Sequence, residues 1–127
     1  MPIRESGENY LEAILMLEKK ENRVRSIDVA NYLEVSKPSV SRAVSILKTG
    51  GYLEQGSDLR LTDRGREIAQ SMYDRHSFLT EFLISLGVSE DTAVEDACRI
   101  EHVISEESFS RLREYLGKTL EKEIRND

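Results

Sequence analysis

The 127 residues suffice for one domain or two small ones sharing a core. A third of them are charged, no apolar run reaches the roughly 20 residues of a membrane span, and Met1-Pro2-Ile3-Arg4-Glu5 has no signal-peptide core, so membrane insertion and secretion are not expected. One cysteine excludes an intrachain disulfide and fits a reducing cytoplasm.

The first expected element is a helix from Glu8 to about Lys20, started near Ser6-Gly7. Tyr10, Ala13, Ile14 and Leu17, with Leu11 and Leu15 beside them, form a broad apolar face at helical spacing. Asn9 and Glu12 stand three apart and share a face, which places them either at one site or on a solvated edge.

Val24 to Leu53 reads as two short helices around a tight turn. Ser26 is the expected N-cap of the first, with Ile27, Ala30 and Leu33 facing inward. Ser36 caps the second, which runs from Lys37 to about Thr49. Pro38 sits in its first turn, Val40, Val44 and Leu47 lie inside, and Gly50-Gly51 ends it. This is a helix-turn-helix. The outer face of its second helix carries Lys37, Ser39, Ser41, Arg42, Ser45 and Lys48, hydroxyls among cations with no acid. Hydroxyls and the Ser36 helix start suit phosphates, and Arg42 has the reach for a guanine edge. The chain's formal charge of −6 conceals an asymmetry: from Arg23 to Arg66 eight basic residues oppose five acids. A basic segment joined to an acidic partner is the pattern of a DNA reader attached to a dimerisation or cation-sensing domain.

Tyr52-Leu53-Glu54-Gln55 and Leu59-Arg60-Leu61-Thr62 flank a Gly56-Ser57-Asp58 turn and predict a β-hairpin. Directly after a recognition helix such a hairpin is a wing, and Arg60 is its expected backbone or minor-groove contact. A long helix from Asp63 to about Leu86 follows, with Ile68, Met72, Leu79, Phe82, Leu83 and Leu86 on its apolar face, His76 in its middle and Gly87 beyond its end.

Ser89 is the expected cap of a fifth helix, on which Ala93, Ala97, Ile100 and Ile104 form the core face. Cys98, Glu101 and His102 stand at i, i+3 and i+4, within one arc about 100° wide. A thiol, a carboxylate and an imidazole converging there read either as half of a transition-metal site or as a small buried cysteine beside a solvated Glu-His pair. Ser105 then caps a sixth helix, whose Phe109, Leu112, Leu116 and Leu120 continue the spacing. These last helices are too few to close a core alone, so pairing with a second copy is expected. The expected fold is mainly α: an N-terminal winged helix-turn-helix with a small β-hairpin wing over residues 1–66, then an all-helical dimerisation domain over 67–127.

In this arrangement the chain resembles the metal-dependent repressors of the DtxR/MntR type over essentially its whole length. The resemblance rests on Glu8-Asn9-Tyr10-Leu11-Glu12-Ala13-Ile14, Val35-Ser36-Lys37-Pro38-Ser39-Val40-Ser41, Leu61-Thr62-Asp63-Arg64-Gly65, Arg75-His76 and Ala97-Cys98-Arg99-Ile100-Glu101-His102-Val103-Ile104-Ser105. Long members carry an additional SH3-like domain, and this chain resembles the short form without it. The resemblance implies metal ligands at Asn9, Glu12, His76, Cys98, Glu101 and His102. One site would draw on Asn9, Cys98, Glu101 and His102, and a second on Glu12 and His76, sharing Glu101. It also implies DNA contacts from Ser36, Lys37, Pro38, Ser39, Ser41, Arg42, Lys48 and Arg60, a homodimer, and control of metal-uptake genes.

The motif is mixed. Cys98 matches the iron-responsive branch and Glu12 the manganese branch, while Asn9 matches neither. Thr80 and Val94 stand where the iron branch's other site has a carboxylate and a histidine. A thiolate with two imidazoles favours Fe²⁺ over Mn²⁺, which prefers hard oxygen donors. The alternative is a winged-helix regulator that responds to an organic ligand or to oxidation of Cys98. An enzyme is not expected, because no strand-borne nucleophile or glycine-rich phosphate loop accompanies the Glu-His motif.

Overall fold

The computed structural model describes residues 5–125, with side chains over 6–117. Leu120, expected on the inner face of the last helix, lies outside the described side chains. Among the described residues there are six helices: α1 (Glu5–Glu18), α2 (Ser26–Leu33), α3 (Lys37–Thr49), α4 (Asp63–Ser85), α5 (Glu90–Val103) and α6 (Glu106–Arg125). They divide into two compact units, with the boundary inside α4 between Tyr73 and Asp74.

In the first unit, the α1 stripe forms the core as its spacing predicts. Tyr10, Leu11, Ala13, Ile14, Leu15 and Leu17 are all buried, and Leu11 and Ile14 completely so. Ser6 and Gly7 lie inside α1 rather than ahead of it. Val40, Val44 and Leu47 supply the inner face of α3. In α2, Val29 and Ala30 are buried while Ile27 and Leu33 are only half-buried.

The start of α2 differs from expectation. Ser26 is its first helical residue and Arg25 occupies the cap position. The reason is Asp28, whose Oδ2 accepts from the Arg25 backbone N–H at 2.9 Å, so the acid in the first turn does the capping. The turn into α3 is made by Glu34, a non-glycine residue at φ 56, followed by the Val35 N–H donating to Ala30 O at 3.1 Å. Ser36 caps α3 as expected, its Oγ accepting from Ser39 N at 3.2 Å.

The wing is less regular than two alternating runs suggest. Leu53 and Leu61 form one isolated antiparallel bridge, and Glu54 N donates to Arg60 O at 2.9 Å. Thr62 N donates to Tyr52 O at 3.1 Å, and two other groups are engaged outside the hairpin. Leu59 N donates to Val24 O at 2.9 Å in the α1–α2 connection, and Lys48 Nζ donates to Gly56 O at 2.6 Å. The wing is thus a loop tied to its surroundings, with its base set by α4. Thr62 Oγ1 donates to Gly51 O at 2.7 Å and accepts from Gly65 N at 3.1 Å. Arg64 donates to Gly50 O at 3.2 Å and to the Tyr52 hydroxyl at 3.0 Å. A Cβ at Gly65 would stand 2.0 Å from Tyr52 O, so only glycine admits this approach of helix to wing.

In the second unit, Ala93 and Ala97 are fully buried and let α5 pack closely, while Leu79 and Phe109 are nearly so. The Phe109 ring meets Phe78 edge-on, with centroids 5.4 Å apart. Leu86 is 66% exposed instead of completing the apolar face of α4, which ends a residue earlier at Ser85. Ser89 occupies the cap position of α5 but makes no side-chain bond to its backbone; its Oγ donates to Thr92 Oγ1 at 3.0 Å. Ser105 does cap α6, accepting from Ser108 N at 3.0 Å.

Candidate metal centre and DNA-binding face

Among the described residues of the second unit, Glu101 is the fully buried charged side chain. It lies in the last turn of α5, and α4 delivers His76 to it. His76 Nδ1 is 3.0 Å from Glu101 Oε2. His102 Nε2 lies 3.3 Å from Oε1, within ion-pair reach but not aligned as a hydrogen bond, so Oε1 has no hydrogen-bond donor. The His102 side chain is 1% exposed. A carboxylate removed from solvent without enough donors is costly to bury. A divalent cation between such an oxygen and neutral imidazoles removes that cost, so these three residues fit a metal by donor chemistry. Each imidazole approaches a different carboxylate oxygen, so the two rings meet Glu101 on separate sides rather than surrounding a common point with it. Among the described residues no group of three or more His, Cys, Asp or Glu forms such a ready-made cage.

The structure therefore brings together His76, Glu101 and His102. Cys98 is exposed on α5, although helical spacing puts it in the same arc. Asn9 and Glu12 belong to the first unit, both half-buried on α1, with Glu12 Oε2 shielded from solvent.

Arg75 was legible only as part of a family motif, yet it shapes this centre. It is 9% exposed. Its Nη1 donates to Glu101 O at 3.2 Å and Ile104 O at 3.0 Å, and its Nη2 to Glu106 Oε2 at 2.5 Å. No signal in the sequence identifies these bonds, which join residues 26 to 31 positions apart.

On the other unit, Lys37, Pro38, Ser41, Arg42, Ser45 and Arg60 are exposed, and Ser39 is half-buried. Ser36 Oγ donates to Ser39 Oγ at 2.8 Å, and Arg42 Nη2 lies 3.4 Å from the same hydroxyl, which pre-arranges the start of α3. Lys48 is half-buried, turned to the wing carbonyl. Other cations of this segment are paired within the chain: Arg23 with Asp58, and Arg66 with Glu18 at 3.0 Å.

A helix-turn-helix unit with a cationic, acid-free recognition face, joined to a helical unit with a buried carboxylate–imidazole centre, defines a DNA-binding regulator with a cation-sensing domain. Comparison with known proteins agrees. Residues 3–59 match the model of the iron-dependent repressor N-terminal DNA-binding domain, and residues 62–124 match that of the iron-dependent repressor metal-binding and dimerisation domain. The chain is 34% identical over 122 residues to an uncharacterized HTH-type transcriptional regulator of Methanocaldococcus jannaschii, covering 93% of this chain and 98% of that protein. It is 35% identical over 117 residues to the transcriptional regulator MntR of Escherichia coli, covering 91% and 76%. A manganese-dependent transcriptional repressor in complex with manganese superposes with a TM-score of 0.78 at 28% identity, covering 87% of this chain and 52% of that one, so this chain spans about half of that solved chain. The chain belongs to the iron-dependent repressor family of metal-responsive transcription regulators, which are not enzymes.

Proposed function

We propose that this chain represses transcription when a divalent transition metal is held at Glu101, His76 and His102, with Cys98 as a further donor and Asn9 and Glu12 of α1 contributing from the DNA-binding unit. The observation that carries the proposal is the buried Glu101 carboxylate between two imidazole nitrogens, within the segment that matches a metal-binding domain. When bound, the metal supplies positive charge and fixed coordination directions at these donors. Glu101 and His102 present the end of α5, and His76 presents α4. Engagement of the α1 donors shifts a mobile population toward the orientation that reads operator half-sites. Ser36, Lys37, Pro38, Ser39, Ser41, Arg42 and Arg60 contact DNA, while Lys48 holds the wing.

The active form is a cytoplasmic homodimer that represses uptake genes for its own metal. The second unit carries exposed Ile84, Leu86, Val94, Val103 and Tyr115, an apolar supply that fits pairing with a second copy. Among the described residues no helix is long and apolar enough to cross a membrane.

The thiol and two imidazoles favour Fe²⁺ as the co-repressor. Mn²⁺ is the second reading, favoured by the similarity to MntR proteins and by the exposure of the Cys98 thiol, which leaves a carboxylate at the heart of the centre. The test is fluorescence anisotropy with the protein's own upstream DNA, run anaerobically at fixed salt and buffered free metal. Sequence-specific binding with Fe²⁺ at lower free concentration than with Mn²⁺ is the expected result. The reverse order selects Mn²⁺, and binding unchanged by a chelator removes the metal mechanism.

A further inference from the structure

Glu101 and His102 occupy the last turn of α5, which ends at Val103. Helix ends fray, and their final carbonyls lack intrahelical partners. A metal centre there needs something that fixes the end of the helix. Glycine commonly does this by a left-handed cap, but the C-cap here is Ile104 in extended conformation. Arg75 meets the need, because its Nη1 donates to both Glu101 O and Ile104 O. Its Nη2 reaches Glu106 in the first turn of α6, and its guanidinium lies over the Phe109 ring at 5.3 Å. The next residue on α4, His76, contacts the Glu101 carboxylate itself. Two consecutive residues thus grip Glu101, one at its backbone and one at its side chain.

We propose that Arg75 is a positioning residue for the metal centre, holding the end of α5 so that the Glu101 carboxylate lies between His76 and His102. This inference rests on the metal reading above. A planar fork suits the role because it serves two carbonyls and a carboxylate at once; a lysine ammonium lacks that fork.

The sign of the effect separates positioning from simple electrostatics. Removing a positive charge beside a cation site tightens binding on charge grounds alone. Positioning demands the opposite. The test compares metal-stripped wild type, Arg75→Gln, Arg75→Lys and Glu101→Gln. Co²⁺ serves as the probe through its visible d–d bands, affinity is read by competition with a chromogenic chelator, and far-UV circular dichroism reports folding. Arg75→Gln is expected to weaken Co²⁺ binding about 10–100-fold, the range for outer-shell partners, and to alter the bands while the helical signal persists. Arg75→Lys, with charge retained and the fork lost, is expected to move both readouts the same way, and it carries the test if Arg75→Gln does not fold. Bands and affinity within about twofold of wild type in the folded variant overturn the Arg75 assignment when Glu101→Gln still abolishes the bands. Wild type without Co²⁺ bands, or bands unaffected by Glu101→Gln, overturns the metal reading and this proposal with it.

Discussion

Glu101 concentrates the conflict between stability and function in one side chain. It is fully buried, and its two oxygens share two imidazoles. A buried carboxylate without a compensating charge is costly and a neutral isostere relieves that cost, whereas removing a metal ligand costs affinity. Glu101→Gln is therefore expected to melt at the same or a higher temperature than wild type in chelator, and to lack the rise in melting temperature expected of wild type on adding Fe²⁺ or Mn²⁺. Differential scanning calorimetry with and without metal checks both halves. Lys48 poses a different question, since its ammonium faces Gly56 O. If it holds the wing, Lys48→Met weakens operator binding without changing the salt dependence. A phosphate-contacting lysine instead lowers the slope of log affinity against log salt by about one. Lys37→Met is the control expected to show that change, and anisotropy titrations at several salt concentrations separate the two.

At the scale of elements, two backbone positions decide how α2, α3, the wing and α4 join. Glu34 ends α2 at φ 56, a conformation that costs an L-residue roughly 1–2 kcal/mol. Its side chain is exposed, so Glu34→Gly is expected to stabilise the first unit by about 1 kcal/mol, against a smaller loss to unfolded-chain entropy. Gly65 has the opposite sign. Helix propensity alone credits alanine with about 1 kcal/mol there. The 2.0 Å approach to Tyr52 O involves backbone on the far side, so no side chain can move away. Gly65→Ala should destabilise by about 1–3 kcal/mol, the range for overpacking, and displace the wing base. Urea unfolding followed by circular dichroism measures both substitutions; stabilisation by Gly65→Ala would refute the close approach.

Over the whole molecule, what the sequence reveals follows from the range of the interaction. The α1 and α3 stripes were readable because burial of one helix face repeats every three or four residues. The helix-turn-helix and the Glu101–His102 pair were readable for the same local reason. The short pairing of the wing was not, because the Leu59 amide is taken by Val24 and the Gly56 carbonyl by Lys48, neither of which belongs to the alternating pattern. The partnership of His76 with Glu101 was implied only by family resemblance, and Arg75's bonds to the end of α5 by nothing local. Periodicity placed Cys98 in the ligand arc but carries no information on its exposure. The same distinction governs the basic segment, where a count of charges cannot tell which are committed within the chain.

Those commitments bear on how such a regulator finds its target. Arg23 and Arg66 sit against carboxylates, Arg64 against Gly50 O and Tyr52, and Lys48 against the wing. Exposed Lys37, Arg42 and Arg60 are then the cations best placed to displace counterions from arbitrary duplex. Sequence-independent attraction scales with the number of cations engaged, so weak binding to the bulk of the chromosome is the expected outcome of titrations with non-operator duplex. On the proposed mechanism the metal-free protein then forms a free pool, and a rise in the ion is read against a low background of occupancy rather than against DNA already crowded with repressor.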